Sequence, residues 1–281
     1  MNQPLSRFAP SPTGLLHLGH AASAFEVWKT MERLGGSVLL RLEDIDQTRC
    51  RPKYEAAILE DLAWLGLTWP QPVRRQSDHF DAYEAALNSL IARGLCYRCF
   101  RTRKEILAEI GRAPHDAPIA FVSEPLPMAE EREKLEHGAQ FAWRLNLREA
   151  KLALGSTWSD LFYRRLSGKY TESVKVDPTL HGDVVLARKD TPTSYHLSAT
   201  HDDALQGITH IIRGTDLEAS THIHVILQAL MGWPTPIYSH HPLLTGPDGK
   251  RFAKRDKSQT LSALRGSGLA AFEISEIALL R

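Results

Sequence analysis

The sequence predicts an α/β protein in which one doubly wound parallel sheet is split by a smaller inserted α+β domain, with a short helical segment at the C-terminus. Three observations carry this. Strand, helix and strand alternate over residues 5–42, the alternation dissolves between about 95 and 180, and it returns between 181 and 245. Leu5–Phe8 is apolar enough for a buried strand, and the loop Ala9-Pro10-Ser11-Pro12-Thr13-Gly14 ends it. Leu18, Ala21, Ala22, Phe25 and Met31 then recur at helical spacing until Gly35-Gly36 stops the run. Residues 37–42 form an apolar strand emerging into Glu43-Asp44-Ile45-Asp46, which completes a right-handed crossover unit. Helices are expected over 52–65, where Pro52 suits a first helical position, and over 77–93 up to Gly94.

Between 95 and 180 the segments are short, polar and proline-containing, with a helix expected over 103–110 and a strand over 141–147. Strands at 183–187, 208–213 and 237–244 and a helix over 221–230, closed by Gly232, resume the alternation. The expected units are therefore 1–94 and 181–245 as the two halves of the sheet domain, 95–180 as the insertion, and 246–281 as a basic loop with a short C-terminal segment.

Of 281 residues, 43% are hydrophobic and 24% charged, which excludes a disordered or fibrous chain. The most apolar stretch, 223–233, is too short for a membrane span and is broken by His224 and Gln228. The N-terminal residues lack the basic and then apolar run of a secretory signal, and three cysteines cannot build a disulfide framework. A cytoplasmic protein without membrane association is expected. Lys and Arg number 34 against 33 Asp and Glu, so a polyanion would have to be held by local clusters. One lies at Arg98, Arg101, Arg103 and Lys104, the other at Lys250, Arg251, Lys254, Arg255 and Lys257.

The loop after the first strand runs through His17-Leu18-Gly19-His20 straight into a helix. Backbone N–H groups at that start can hold an anion, Gly19 admits a phosphate or an adenine ring close to the backbone, and two imidazoles one turn apart can donate hydrogen bonds. Such a place suits a nucleotide. Far along the chain, Gly246-Pro247-Asp248-Gly249 leads into Lys250-Arg251-Phe252-Ala253-Lys254-Arg255. A turn followed by closely spaced cations can close over a triphosphate and offset charge on a leaving pyrophosphate.

With these blocks in order, the chain resembles the class I aminoacyl-tRNA synthetases, and within them the glutamyl branch. Arg7-Phe8-Ala9-Pro10-Ser11-Pro12-Thr13-Gly14 with His17-Leu18-Gly19-His20 is similar to that branch's HIGH signature, and Arg41-Leu42-Glu43-Asp44 to its next block. Residues 207–217 are similar to a later block, and 251–255 occupy the place of the KMSKS loop. The resemblance implies a Rossmann-like catalytic domain, an inserted acceptor or connective domain, and ATP-dependent activation of glutamate to glutamyl-adenylate. It further implies that His17, Gly19, His20 and Lys254 hold ATP, with His17 and His20 stabilising the α-phosphate while Lys254 and Arg251 meet the pyrophosphate. Arg7, Ala9, Ser11, Glu43, Tyr195 and Arg213 match its L-glutamate site. The residue types agree: two carboxylates and one ammonium call for two guanidinium forks and an acid, and bidentate pairing favours Arg over Lys. Either arginine can take either carboxylate. Mg2+ is expected with ATP, bridging phosphate oxygens with few protein ligands.

Members of the branch that charge their cognate tRNA continue beyond the KMSKS loop into an anticodon-binding domain, whereas this chain ends soon after Arg255. The short form implies transfer of glutamate to queuosine, the modified wobble base of tRNA(Asp), whose anticodon arm would enter the catalytic domain; a monomer is expected. Ala253 and Arg251 stand where the loop usually has Ser and Lys, which predicts slower activation. Relatives often carry zinc in the insertion, but here Cys99 falls at the first ligand position and Arg101 at the second, so the set is incomplete. Cys96 and Cys99 form a Cys-x-x-Cys to which His115 or His137 would have to add nitrogens, and the pair reads as two reduced structural thiols. His222 and His224 fall on different helix faces, and His201-Asp202-Asp203 reads as a turn; none is assigned to a metal. The competing readings are a catalytic fragment of an ordinary glutamyl-tRNA synthetase, a small-molecule nucleotidyltransferase, and a non-catalytic RNA-binding paralogue.

Overall fold

The computed structural model describes residues 3–102, 104–106, 121–244 and 260–279. Strands β1 (Leu5–Phe8), β2 (Ser37–Leu42) and β3 (Arg74–Arg75) pair in parallel in that order. A second sheet runs β7 (Tyr170–Lys175), β6 (Phe162–Ser167), β10 (Ile237–His241), β9 (His210–Gly214), parallel except for the β6–β7 hairpin. The two sheets meet edge to edge at β1 and β9. Thr209 N–H donates to the Leu5 carbonyl (2.9 Å) and Leu5 N–H to Thr209 Oγ1 (2.8 Å).

Helices cover both faces. Ile211 and Ile212, adjacent on β9, enter different cores because successive strand residues point to opposite sides. On one face lie α1 (Leu18–Arg33), α2 (Pro52–Trp64) and the C-terminal α8 (Leu261–Gly266) and α9 (Ala271–Leu279), with Ile274 and Ala278 buried in the same cluster as Leu18, Ala22 and Phe25. On the other lie α3 (Phe80–Ala92), α5 (Leu147–Leu154), α6 (Tyr195–Leu205) and α7 (Ser220–Met231), the last stopped by Gly232 in the left-handed conformation (φ +68). The expected doubly wound architecture is present, and its topological switch lies between β1 and β9, where a ligand crevice is expected at the strands' carboxyl ends.

The insertion is smaller than the expected block 95–180. Its sheet is β4 (Cys96–Cys99), β5 (Ala142–Leu145) and β8 (Val185–Arg188), flanked by α4 (Met128–Glu136). Thus β8 pairs with the insertion although it falls beyond residue 180, while β6 and β7, which fall before it, extend the main sheet. Tyr163 on β6 packs edge-on against Tyr238 on β10 at 5.4 Å between ring centres. The outermost strand β7 is almost wholly exposed, so its polarity concealed its place in the main sheet. Local boundaries also differ: residues 76–79 form a 3-10 turn before α3, and Leu147 opens a helix capped by Asn146 instead of ending a strand. Of the helix expected over 103–110, residues 104–106 are helical and the remainder lies outside the described residues. Among the described residues no helix is long and apolar enough to cross a membrane.

Candidate active site

A cavity of about 420 Å3 opens at the β1–β9 switch and is lined by Arg7, Ala9, Ser11, His17, Gly19, His20, Glu43, Tyr195 and Arg213. Every described residue expected to touch glutamate or ATP therefore faces one hollow. Arg251 and Lys254 lie outside the described residues. The segments flanking them approach the same place: Leu243 and Leu244 line the cavity, Thr260 bridges to His17, and Leu261 N–H donates to the Leu16 carbonyl (2.9 Å).

Arg213, next to last on β9, is almost fully buried, with 4% of its surface exposed. Among the described residues its donors meet only neutral groups: Tyr195 Oη at 3.0 Å, Thr221 Oγ1 at 2.7 Å, and, at 3.5 Å each, His224 Nδ1 and His240 Nε2. The guanidinium also lies 5.4 Å from the centre of the Tyr238 ring. Burial, reinforced by the Arg213 charge, pushes His224 well below the ordinary histidine value and His240 down to about 3. Both imidazoles are neutral and accept from the arginine. No carboxylate among the described residues pairs with Arg213. An uncompensated charge removed from water costs several kcal/mol, so the site favours a ligand that brings an anion.

Arg7 is as buried but is shared. Its Nε donates to Asp203 Oδ1 (2.9 Å), which also accepts from Arg41 Nη2 (2.8 Å); Arg41 in turn lies 3.4 Å from Glu43 Oε1. Burial pushes the Glu43 carboxyl above the usual carboxylate range, against the pull of Arg41 and Arg7. A cation arriving beside it would favour its ionised form, as an ammonium does.

The first turn of α1 caps itself. His17 Nδ1 accepts from Gly19 N–H (3.1 Å), and His20 Nδ1 accepts from His17 N–H (3.2 Å). This corrects the expectation of free amides, since Gly19 N–H and His17 N–H are already used. With Nδ1 accepting, each neutral ring carries its proton on Nε2, and the donors toward an anion become imidazole N–H groups. The rings sit 3.9 Å apart. An added Cβ at Gly19 would stand 3.0 Å from His17 Cε1 and 3.1 Å from its Nδ1, so the His17 ring would have to shift by a few tenths of an ångström.

Several contributors escaped the sequence reading: Thr221, His224 and His240 around Arg213, and Asp203 with Arg41 behind Arg7. Residues 201–203, expected as a turn, lie in α6. The cysteine pair also differs from a chelate. Cys99 and Tyr97 share one face of β4 with Ile106 and Phe121, while Cys96 packs on the opposite side against the main core. Burial pushes the Cys96 thiol up to about 12. The ring of His137 is engaged with the Glu133 carbonyl (2.7 Å), and His115 lies outside the described residues. Among the described residues no group of three His, Cys, Asp or Glu side chains is placed to hold a metal ion.

A split, doubly wound sheet thus places a self-capped HxGH turn, two buried arginines and a glutamate around one hollow. The chain belongs to the class I tRNA synthetases (E and Q), whose catalytic-domain model matches residues 5–281. It is 40% identical to the glutamyl-Q tRNA(Asp) synthetase of Rhodobacter capsulatus, over 97% of this chain and 99% of that one. A glutamate–tRNA ligase of Synechococcus sp. (strain JA-3-3Ab) is 36% identical over 93% of this chain but only 53% of its own length. A solved glutamate tRNA ligase from Elizabethkingia meningosepticum, in complex with its amino acid, superposes with a TM-score of 0.76 at 28% identity, covering 99% of this chain and 61% of that structure.

Proposed function

We propose that this chain activates glutamate with ATP as glutamyl-adenylate and transfers the glutamyl group to queuosine at the wobble position of tRNA(Asp), acting as a cytoplasmic monomer that receives the anticodon arm in its catalytic domain. The observation that carries the amino-acid assignment is Arg213, buried among neutral partners in the same cavity as Arg7 and Glu43. Two guanidiniums and one carboxylate complement the two carboxylates and one ammonium of glutamate. The acceptor assignment rests on the relative that matches end to end and is named for it.

In this reading a glutamate carboxylate oxygen attacks the α-phosphorus of ATP, the bond to the bridging oxygen breaks, and pyrophosphate leaves. His17 and His20 donate through Nε2–H to the α-phosphate oxygens as negative charge gathers there. Arg251 and Lys254 meet the pyrophosphate, and the anchoring of both flanks of their segment beside the cavity supports this. Ala9 and Ser11 shape the amino-acid wall, and Tyr195 adds a hydroxyl. A hydroxyl of the queuosine cyclopentene ring then attacks the acyl carbon and AMP departs. Among the described residues the carboxylates lining the cavity are Glu43 and the exposed Asp216, a donor set that fits an Mg2+ ion brought by ATP with few protein ligands. Bound there, the ion would neutralise phosphate charge.

The test is glutamate-dependent ATP–pyrophosphate exchange without RNA, followed by labelled glutamate transfer to tRNA(Asp) with and without queuosine. Exchange without RNA and labelling only of the queuosine-containing tRNA are expected. The similarity to glutamate–tRNA ligases favours a second reading, transfer to the terminal adenosine of tRNA(Glu); labelling of that RNA instead would establish it.

A further inference from the structure

Asp203 does not line the cavity, yet it is tied to Arg7, which does, and to Arg41 behind it. It sits on α6, eight residues after Tyr195, and is 2% exposed. One of its oxygens, Oδ1, accepts from Arg7 Nε on β1 at 2.9 Å and from Arg41 Nη2 on β2 at 2.8 Å. Arg41, wholly buried, passes the link on to Gln206 Oε1 at 2.9 Å. The neighbouring Asp202 anchors the same helix turn elsewhere, accepting from Arg74 (3.0 Å), Tyr83 Oη (2.8 Å) and Gln76 Nε2 (3.2 Å). Asp203 is therefore held from behind and has little freedom to follow Arg7 if that side chain turns.

Two physical consequences follow. A guanidinium is planar, so fixing Arg7 at Nε fixes the direction of the edge carrying its two Nη atoms. In addition, with Glu43 ionised beside an ammonium, Asp203 and Glu43 offset Arg7 and Arg41, leaving Arg213 as the guanidinium that no carboxylate among the described residues pairs with. The buried cluster then carries one excess positive charge, which matches an amino acid bearing two carboxylates and one ammonium.

We propose that Asp203 is a positioning residue for the amino-acid substrate: through Arg7 and Arg41 it aims the Arg7 fork into the cavity and holds the excess positive charge low enough that small inorganic anions do not compete with glutamate. This rests on the reading that the cavity takes glutamate. Asp203→Asn keeps the shape and one acceptor while removing the charge. In pyrophosphate exchange the KM for glutamate should rise about tenfold or more while the KM for ATP stays within about twofold. Chloride, compared with gluconate at equal ionic strength, should become a competitive inhibitor against glutamate in the variant and not in the parent. An unchanged KM for glutamate, a parallel rise in both KM values, or chloride inhibition equal in parent and variant overturns the proposal. Should that variant not fold, Asp203→Glu replaces it: the retained charge should still exclude chloride, but a carboxylate displaced by one methylene should again raise the KM for glutamate, and an unchanged value overturns the proposal. Absence of glutamate-dependent exchange in the parent overturns the functional reading and this inference together, whereas an active parent with an indifferent Asp203→Asn variant removes this inference alone.

Discussion

Replacing Arg213 with glutamine separates the two roles that a buried arginine can have, support of the fold and capture of a ligand. In the ligand-free protein its guanidinium is held by Tyr195, Thr221, His224 and His240, all neutral. Losing the charge forfeits those bonds and the contact over Tyr238, each worth about 1 kcal/mol, but relieves the cost of burying an unpaired ion, which is several kcal/mol. Thr221 Oγ1 keeps His240 Nε2 at 3.1 Å, so it is not orphaned. The melting temperature of the ligand-free variant should consequently lie no more than about 2 °C below that of the parent. With glutamate bound the balance reverses, because a desolvated carboxylate then faces no cation; at about 3 kcal/mol the loss is roughly two orders of magnitude in kcat/KM for glutamate. Pyrophosphate exchange across a glutamate series measures the kinetic effect. Calorimetric melting with and without glutamate measures the other, and saturating glutamate should raise the parent's melting temperature but not the variant's. A variant that unfolds without ligand, or one whose kcat/KM for glutamate stays within about threefold of the parent, would refute the reasoning.

Gly19→Ala opposes two effects: alanine at this helical position should leave stability unchanged or raise it by about 0.5–1 kcal/mol, yet displacement of the His17 ring should slow exchange about tenfold or more. Parallel thermal melts and exchange rates test this, and equal activity would show that the His17 geometry is dispensable. Asp61 on α2 is buried, both its carboxyl oxygens lack hydrogen-bond partners, and Arg265 Nη1 lies 3.5 Å away. Burial pushes its carboxyl from 3.8 up to about 6. The folded state thus favours the protonated form, and the stability this confers is full below pH 3.8 and is lost as pH rises through 6. Asp61→Asn should melt on the order of 3 °C higher than the parent at pH 8 and level with it at about pH 4, as read by circular dichroism. Lys254→Ala should cost about 3 kcal/mol in the activation barrier, near two orders of magnitude in pyrophosphate exchange, with folding unchanged by the same spectroscopic measure.

The crossover unit β1–α1–β2 was legible because its signals are local: an apolar strand, a helical period ending at glycine, and a second apolar strand. The helix α6 was not, because the residues it buries include Ser198, Thr200, Asp202 and Asp203. A polar buried face has no apolar period; its two aspartates are met by arginines from β1, β2 and β3, and Ser198 and Thr200 donate to backbone carbonyls of their own helix turn. The hairpin β6–β7 was assigned to the insertion for a related reason: an edge strand carries no mark of the sheet it joins. Cys96 and Cys99 had the spacing of a chelating pair, yet on a strand that spacing divides them between two faces.

On its own the sequence determined the kinds of chemistry available, namely two imidazoles at a helix start and arginines and an acid in recognisable blocks, because motif residues are tied to their own backbone over one or two turns. Only the tertiary structure decided which of those charges is neutralised and which is left for a substrate. Arg7 and Asp203 pair across 196 residues of chain, while among the described residues Arg213 meets nothing but neutral groups. Charge compensation in a buried site depends on atoms within a few ångströms, and that neighbourhood exists only once the strands and α6 have packed.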